Sequence, residues 1–354
     1  MADTFTGLES FIDAEFMATG AFYSDSESQA VILGKSGDSR AAGDFTQEST
    51  PTFLLKDFFT GQYLRYRPLS TLSTTRTELK TFLQTWKSEA PAVTTEGNTD
   101  SDYVSDFGSL KRSWSETLKK VVLVSREQYR SPDHLATRRN LLKRAFEFEQ
   151  GIPYGIWNDD YGVIGCSPEL LFSLRGQELR SIALAGTSRK GNEKVLLNSV
   201  KDRQEHDLVI RDILEKLRPH ARFLKHSETR IFSFKDLIHL RTEIEALLND
   251  NVSLNQLVGS LSPTAALGGY PQEESLQFLK TTSYYQNHPK RFFGSAFGVT
   301  STELNQFLVS IRNVQWDQDR FYIESGGGVL PSSTLESELA EIHLKRNTIR
   351  KHYL

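Results

Sequence analysis

The sequence predicts one α/β domain of the α+β kind, with two antiparallel sheets flanked by helices. Two stretches far apart in the chain, 154–187 and 293–330, each read as strand, turn and strand, and stretches of helical spacing fall before and between them. No segment repeats at a fixed period, so a solenoid is not expected. A length of 354 residues allows two domains, yet α/β domains of this size also form one unit.

The elements follow in order. Residues 1–70 alternate short apolar groups with Gly, Ser and Asp, as in AFYSDSESQAVILGKSGD, and predict strands joined by turns. Thr75 to Lys87 has helical spacing through Leu79, Phe82, Leu83 and Trp86; the polar, acidic SEAPAVTTEGNTDSD after it reads as a loop or linker. A short helix through Leu110, Trp114 and Leu118 precedes KKVVLVSR, whose β-branched cluster predicts a strand. Ser131 and Pro132 open a helix to about Gln150. From Tyr154 to Thr187 the turns NDDYG and RGQE divide an antiparallel meander. Ser199 to Leu217 predicts a helix stopped by Pro219, and Leu237 to Leu248 a second one. Strands return over 293–330, with WDQD as a turn between SIRNV and FYIES.

The stretch ESGGGVLPSSTLESELAEIHLK, from Glu324 to Lys345, joins a strand end to Gly326, Gly327 and Gly328 and then to a helix. Three residues without a Cβ predict a turn with φ > 0 whose N–H groups approach an anion. Ser333 and Glu336 have capping-box spacing ahead of a Leu335, Leu339, Ile342 stripe. Glu338, Glu341 and Lys345 fall within an arc of roughly 60° beside that stripe. They border a site, or form a solvated face with an ordinary i,i+4 Glu to Lys pair.

Composition excludes several roles. Thirty-eight per cent hydrophobic, 25% charged and a net charge of -3 leave no basic excess for a phosphate backbone, so nucleic acid is not an expected partner. The opening MADTFTGLESFIDAEF is acidic where a signal peptide is basic, and no apolar run approaches the roughly 18 residues that span a bilayer, which predicts a cytoplasmic protein off the membrane. Cys166 is the only cysteine and is expected to be a small buried thiol rather than a nucleophile.

Several charged residues sit among apolar neighbours. Glu169 in SPELLF has an apolar strand context; burial would raise its pKa and suit it to general acid work, whereas a strand-edge glutamate is ordinarily solvent-facing or paired. In KDRQEHDLVIRDIL, Lys201, Glu205 and Asp212 share a helix line beside Leu208, Val209 and Ile213. With Glu338 and Glu341, Glu205 offers carboxylate oxygens of the kind Mg²⁺ takes, while His206 is read as a structural hydrogen-bond partner. Lys120 shares a strand face with Val122, Val124 and Arg126, a setting that lowers a lysine pKa and makes a base; a surface lysine at a strand start is the plainer reading. Arg312 inside SIRNV needs a carboxylate or phosphate partner, from the protein or from a ligand.

Taken in order, KVVLVSR, SPELLF, ALAGTSRKG, KDRQEH, HLRTEI, SPTAALGGYP, FFGSAFG, VSIR, the GGGV turn and ESELAEIHLK resemble the chorismate-utilising enzymes, over about Lys119 to Lys345. The resemblance implies a single chorismate-binding domain of two large antiparallel sheets, with 106–354 as its catalytic core and 1–105 as a strand-rich portion and linker of the same domain. It implies a Mg²⁺ site at Glu205 and Glu341 with Glu338 close by. Substrate contacts are implied for Gly186, Thr187, His239, Ala266, Leu267, Phe293, Ile311, Arg312, Gly326, Gly328 and Lys345.

Within the family, lysine at Lys120 resembles the members that add water, where ammonia-using synthases carry glutamine. Ala185 stands where aminodeoxychorismate synthases carry a lysine, and Ala266 with Leu267 is similar to the Ala-Leu pair of isochorismate synthases. The implied activity is Mg²⁺-dependent isomerisation of chorismate to isochorismate by water addition at C2 and loss of the C4 hydroxyl, with Lys120 as base and Glu169 as acid. Salicylate synthase and anthranilate synthase component I are the alternatives. An extra residue before Ser125 leaves Lys119 a second candidate base, and Ser295 where many members have glycine is expected to narrow the pocket near Phe293. A monomer without a glutaminase partner is expected. The residues do not distinguish a menaquinone from a siderophore route.

Overall fold

The strands read from the sequence form, but they are shared between two sheets. The computed structural model describes residues 2–45, 47–86, 92–318 and 320–354, with side chains from residue 6 onward. One sheet runs Gly269–Tyr270, Lys120–Arg130, Arg320–Val329, Asn313–Asp317, Tyr161–Ser167, Ile152–Trp157, Gly20–Ser24, Ala30–Lys35 and Ser70–Thr75, with Thr94–Asn98 also on Lys120–Arg130. The other runs Ala221–His226, Leu237–Leu248, Glu178–Arg189, Leu170–Arg175, Asn305–Val309, Ala296–Thr300, Thr52–Lys56, Tyr63–Arg67 and Asp38–Ala42, with Arg230–Phe234 also on Leu237–Leu248. The described pairings are antiparallel. Both sheets therefore draw strands from before residue 75 and from after residue 295.

Aromatic side chains fill the space between the sheets. Tyr23 and Tyr154 of the first and Phe53, Tyr66 and Phe297 of the second form one buried cluster, with Tyr23 and Phe297 stacked at 6.2 Å. Rings of this size dominate core burial, at roughly 150–250 Å² each.

Several expectations are corrected. The meander over 154–187 is not one sheet: Ile152–Trp157 pairs with Tyr161–Ser167, the chain crosses at Pro168 and Glu169, and Leu170–Arg175 pairs with Glu178–Arg189 in the other sheet. Residues 237–248 form a strand rather than a helix. Leu237, Leu240 and Ile244 fit a helical spacing equally well, but Leu240, Thr242, Ile244, Ala246 and Leu248 alternate inward against less buried Arg241, Glu243 and Glu245. The N-terminal residues are not all strand, because Ala2–Phe11 and Ala14–Ala18 are helices that bury Leu8, Phe16 and Met17, with Ile12 buried in the bend between them.

The linker expected over 88–102 holds the strand Thr94–Asn98 and the first turn of the helix Asp100–Arg112, where Asp100 and Asp102 favour a helix N-terminus. That helix ends before Trp114 and Leu118. The helix expected from Thr75 is present as Arg76–Gln84, closed by a Thr75 to Glu78 capping box; Lys87, which ended the expected span, and 88–91 of the linker lie outside the described residues, as does the last residue of WDQD.

Candidate active site

The glycine run was expected to turn, and it does not. Gly326, Gly327 and Gly328 are strand residues, in continuous register with Val124, Leu123 and Val122, and none has a positive φ. Their function is steric. A Cβ on Gly328 would come within 2.5 Å of Lys120 Cε and closer still to Glu205 Oε1, and one on Gly327 would meet Glu338 Oε2 at 3.0 Å. The run lets helical carboxylates press against both sides of a strand.

Glu205 comes from the helix Val200–Leu217, which begins at Ser199 with its hydroxyl accepting the Asp202 N–H at 3.2 Å. Its inner face carries Glu205, His206, Val209, Asp212 and Ile213. Lys120 Nζ lies 3.0 Å from Glu205 Oε1, off the line of a good hydrogen bond, and the lysine is fully buried. Lys120 opposes the burial of Glu205 and brings its carboxyl below the usual range, although burial acts against that as the largest single influence. Lys201, on the same helix line as Glu205, reaches across to Glu338 at 2.5 Å. Lys119 points out to the Glu116 carbonyl, so of the two candidate lysines only Lys120 faces this site. His206 Nε2 meets Thr242 Oγ1 at 2.8 Å, the structural bond expected of it.

Glu169 sits where the chain crosses between sheets. Its carbonyl accepts the Val309 N–H at 3.0 Å, and the Ser167 hydroxyl accepts its N–H at 3.2 Å while donating to the Val309 carbonyl at 2.6 Å. The backbone is pinned, and the side chain enters a cavity with 2% of its surface exposed. Burial pushes its pKa up to about 8, against the smaller opposing pull of Lys120, the Thr264 hydroxyl at 3.4 Å, Arg312 and Lys345. Glu169 is therefore largely protonated at neutral pH.

Arg312 enters the same cavity from a residue with φ +54°, a left-handed conformation uncommon outside glycine. Among the described residues no carboxylate lies within ion-pair distance of it, and its Nε is buried without a partner. Burial lowers its pKa to about 10, yet it remains a cation. His239 Nδ1 meets the Gly186 carbonyl at 3.0 Å and Thr187 Oγ1 at 3.2 Å, and burial and Arg312 hold the ring neutral. An Nδ1–H donated to that carbonyl leaves Nε2 to accept Arg312 Nη2–H at 3.4 Å. Gly186 serves this geometry at φ +67°, at a register shift between Ala185 and Thr187.

The cavity is also lined by Ala266, Leu267, Phe293, Ile311, Gly326, Gly328 and Lys345. Of the residues named from the sequence, Glu338, Glu341 and Lys120 do not line it. Lys120 lies against Gly328 on the Glu205 side, and Glu338 packs against Gly327. Glu341 makes the ordinary i,i+4 pair with Lys345 at 2.6 Å, and Lys345 also donates to the Gly326 carbonyl at 2.9 Å. Their helix Leu335–Tyr353 is capped by Thr334 rather than by Ser333, whose hydroxyl instead accepts the Leu330 N–H. Ser295 does not narrow the cavity, because its hydroxyl is turned to the Lys56 carbonyl. Cys166 is buried and its thiol pushed up to about 12, so it is no nucleophile.

Among the described residues no three His, Cys, Asp or Glu side chains form a ready-made cation cage. Glu205, Glu338 and Glu341 are each held by a lysine instead. Their chemistry nevertheless fits a hard divalent cation: they are carboxylates, burial and then the neighbouring Glu341 raise the pKa of Glu338, and Glu338 Oε2 is buried without a partner. The sequence reading missed Thr264, which reaches Glu169, and Tyr103, whose unpartnered hydroxyl lies near Gly327 beside Glu338. Neither carries a signal in sequence, because each meets its neighbour only through the fold.

Comparison with known proteins gives this arrangement a context. The family model described as chorismate binding enzyme matches residues 71–352. A protein of Pseudomonas aeruginosa named salicylate biosynthesis isochorismate synthase is 31% identical over 53% of this chain and 41% of its own length. The isochorismate synthase EntC of Escherichia coli K12 is 31% identical over 54% of this chain and 51% of its own. The chain thus spans about half the length of these curated relatives. The solved structure of MenF, the menaquinone-specific isochorismate synthase of Escherichia coli, shares the fold with a TM-score of 0.78 at 17% identity, covering 96% of this chain and 90% of that one.

Proposed function

The chain belongs to the chorismate binding enzyme family, and on that premise we propose that it converts chorismate to isochorismate. One observation carries the reading: a single small cavity holds a buried carboxyl that keeps its proton, Glu169, and a buried arginine without a carboxylate partner, Arg312. A neutral acid suits departure of a hydroxyl, and an unpaired guanidinium suits a substrate carboxylate.

Lys120, in its uncharged form, takes a proton from the water that attacks C2, and the ammonium this makes pairs with Glu205. The ring double bonds shift, and Glu169 gives its proton to the C4 hydroxyl, which leaves as water. One water enters and one departs, and the proton on Lys120 returns to Glu169 through solvent. Arg312, oriented by His239, and Lys345 hold the substrate carboxylates, while Leu267, Phe293 and Ile311 pack on the ring. Such positioning of reactants contributes much of a rate enhancement. Glu205, Glu338 and Glu341 would hold Mg²⁺, which neutralises carboxylate charge and polarises the group bound to it. The same reading has the protein work as a monomer in the cytoplasm without a glutaminase. No helix among the described residues is long and apolar enough to cross a membrane.

The test is to incubate the protein with chorismate and Mg²⁺ and identify the product by chromatography. Isochorismate is expected. Prompt salicylate without an added lyase, or anthranilate only when ammonium is supplied, would replace this reading with one of its alternatives.

A further inference from the structure

Arg291 is among the most deeply buried large side chains of the protein, with 1% of its surface exposed. Among the described residues no carboxylate lies within ion-pair distance of its guanidinium. Of the acidic groups in electrostatic reach, Glu324 is already taken by Arg126 and by the hydroxyl of Tyr284, and Asp57 accepts the backbone N–H of Arg291. The guanidinium instead lies over the Phe58 ring at 3.8 Å, with Phe293 at 5.5 Å, a cation-π arrangement in a desolvated slot. Its two directed bonds go to backbone carbonyls: Nε donates to Phe293 O at 2.8 Å and Nη2 to Leu267 O at 3.2 Å.

Those two carbonyls belong to residues on different walls of the active cavity, 26 positions apart in sequence, and both side chains line it. The Leu267 wall is the turn in which Leu267 N–H donates to the Thr264 carbonyl at 3.0 Å, and Thr264 reaches Glu169. The Phe293 wall is followed by Gly294, where a Cβ would press on Arg291 Nη2 and on Leu267 Cβ, each at 3.0 Å. Arg291 itself is anchored from outside the cavity, its N–H donating to Asp57 Oδ2 at 3.1 Å and its carbonyl accepting the Phe58 N–H at 2.8 Å.

We propose that Arg291 is a positioning residue that clamps the Leu267 and Phe293 walls together and so sets the width of the cavity that receives the ring. A planar fork with two fixed N–H directions does this where an ammonium cannot, because one lysine point charge does not reproduce both bonds from a single stacked plane. The proposal rests on the chorismate reading for its substrate, while the clamp itself does not depend on it.

The experiment compares Arg291→Lys and Arg291→Ala with the wild type in three measurements. Amide hydrogen exchange is expected to quicken together over 264–268 and 292–295 in both variants, and to stay unchanged in the 20–24 strand of the far core. With chorismate as the probe, KM is expected to rise about tenfold with kcat within about threefold, since the apolar walls transfer no proton. Added guanidinium at low millimolar concentration is expected to restore KM in Arg291→Ala but not in Arg291→Lys. A uniform loss of stability with KM unchanged, or exchange that quickens at only one wall, would overturn the clamp. If the wild type itself does not turn over chorismate, the proposed function fails while hydrogen exchange and guanidinium protection of the two segments still decide the clamp.

Discussion

Glu169 and Glu205 are both buried carboxyls at the same cavity, yet Glu169 is neutral and Glu205 negative. At the crossing between the sheets, Glu169 has a threonine hydroxyl at 3.4 Å and, among the described residues, no cation within ion-pair distance, so desolvation prevails and the carboxyl keeps its proton up to about pH 8. On the helix Val200–Leu217, Glu205 has Lys120 at 3.0 Å and further help from Lys345 and Lys201, so it stays ionised despite equal burial. Two carboxyls pushed apart in this way are fitted to different tasks, one donating a proton and the other holding cations. The contrast lies in what stands beside each group rather than in depth.

The strongest way to break the contrast is to remove the proton that Glu169 carries. Glu169→Gln is expected to lower chorismate turnover by about 10²–10⁴-fold, the usual contribution of a positioned acid, with circular dichroism preserved and melting temperature not lowered. Near wild-type turnover would take the acid role from Glu169. The next largest effect comes from the other side. Lys120→Met leaves Glu205 buried without its cation, which is expected to lower stability by about 3–5 kcal/mol in denaturant titration, unless Glu205 takes up a proton, and to abolish turnover.

Part of this contrast was legible in the sequence. Glu169, Lys120, Glu205 and Arg312 stood out because charge inside an apolar pattern demands an explanation, and the cavity gathers Glu169, Glu205 and Arg312 with Lys120 behind them. The glycines at 326–328 carry an ambiguous signal, since absence of a Cβ marks a turn or a close approach alike, and only the helix packed behind the strand decides between them. Leu237–Leu248 is ambiguous in sequence because its leucines satisfy both periods; pairing with Glu178–Arg189 along its length selects the strand. Thr264 and Arg291 were invisible, since their partners lie 95 residues away in one case and on backbone atoms in the other.

A smaller substitution sharpens the steric part of the comparison. Gly328→Ala puts a methyl group into the Lys120 and Glu205 contact, so it is expected to lower stability by about 1–3 kcal/mol and to reduce turnover, whereas Gly61→Ala, at a turn with positive φ far from this contact, leaves turnover in place.

The contrast also shows in the pH dependence of stability, spread over several pH units. The folded pKa of Glu169 is raised from 4.5 to about 8, so between these values the native state holds a proton that the unfolded chain releases. Its contribution is fully present below about pH 4.5 and is lost as the pH rises toward 8. Glu205, with its folded pKa lowered, behaves oppositely: its contribution is present above the unfolded carboxyl range and is lost as the pH falls through the folded value. Comparing wild type with Glu169→Gln by denaturant titration across this window should show the wild type losing ground by at most about 1.4 kcal/mol for each pH unit. Parallel curves would contradict a protonated Glu169.

The most direct test is the pH profile of kcat/KM for chorismate from about pH 6 to about pH 10, with the product identified at each point, because this quantity reports the ionisation of the free enzyme. Isochorismate is the expected product, with kcat/KM falling on the alkaline side through an apparent pKa near 8 as Glu169 loses its proton. A profile flat to about pH 10, or chorismate left unconverted throughout, would contradict the account.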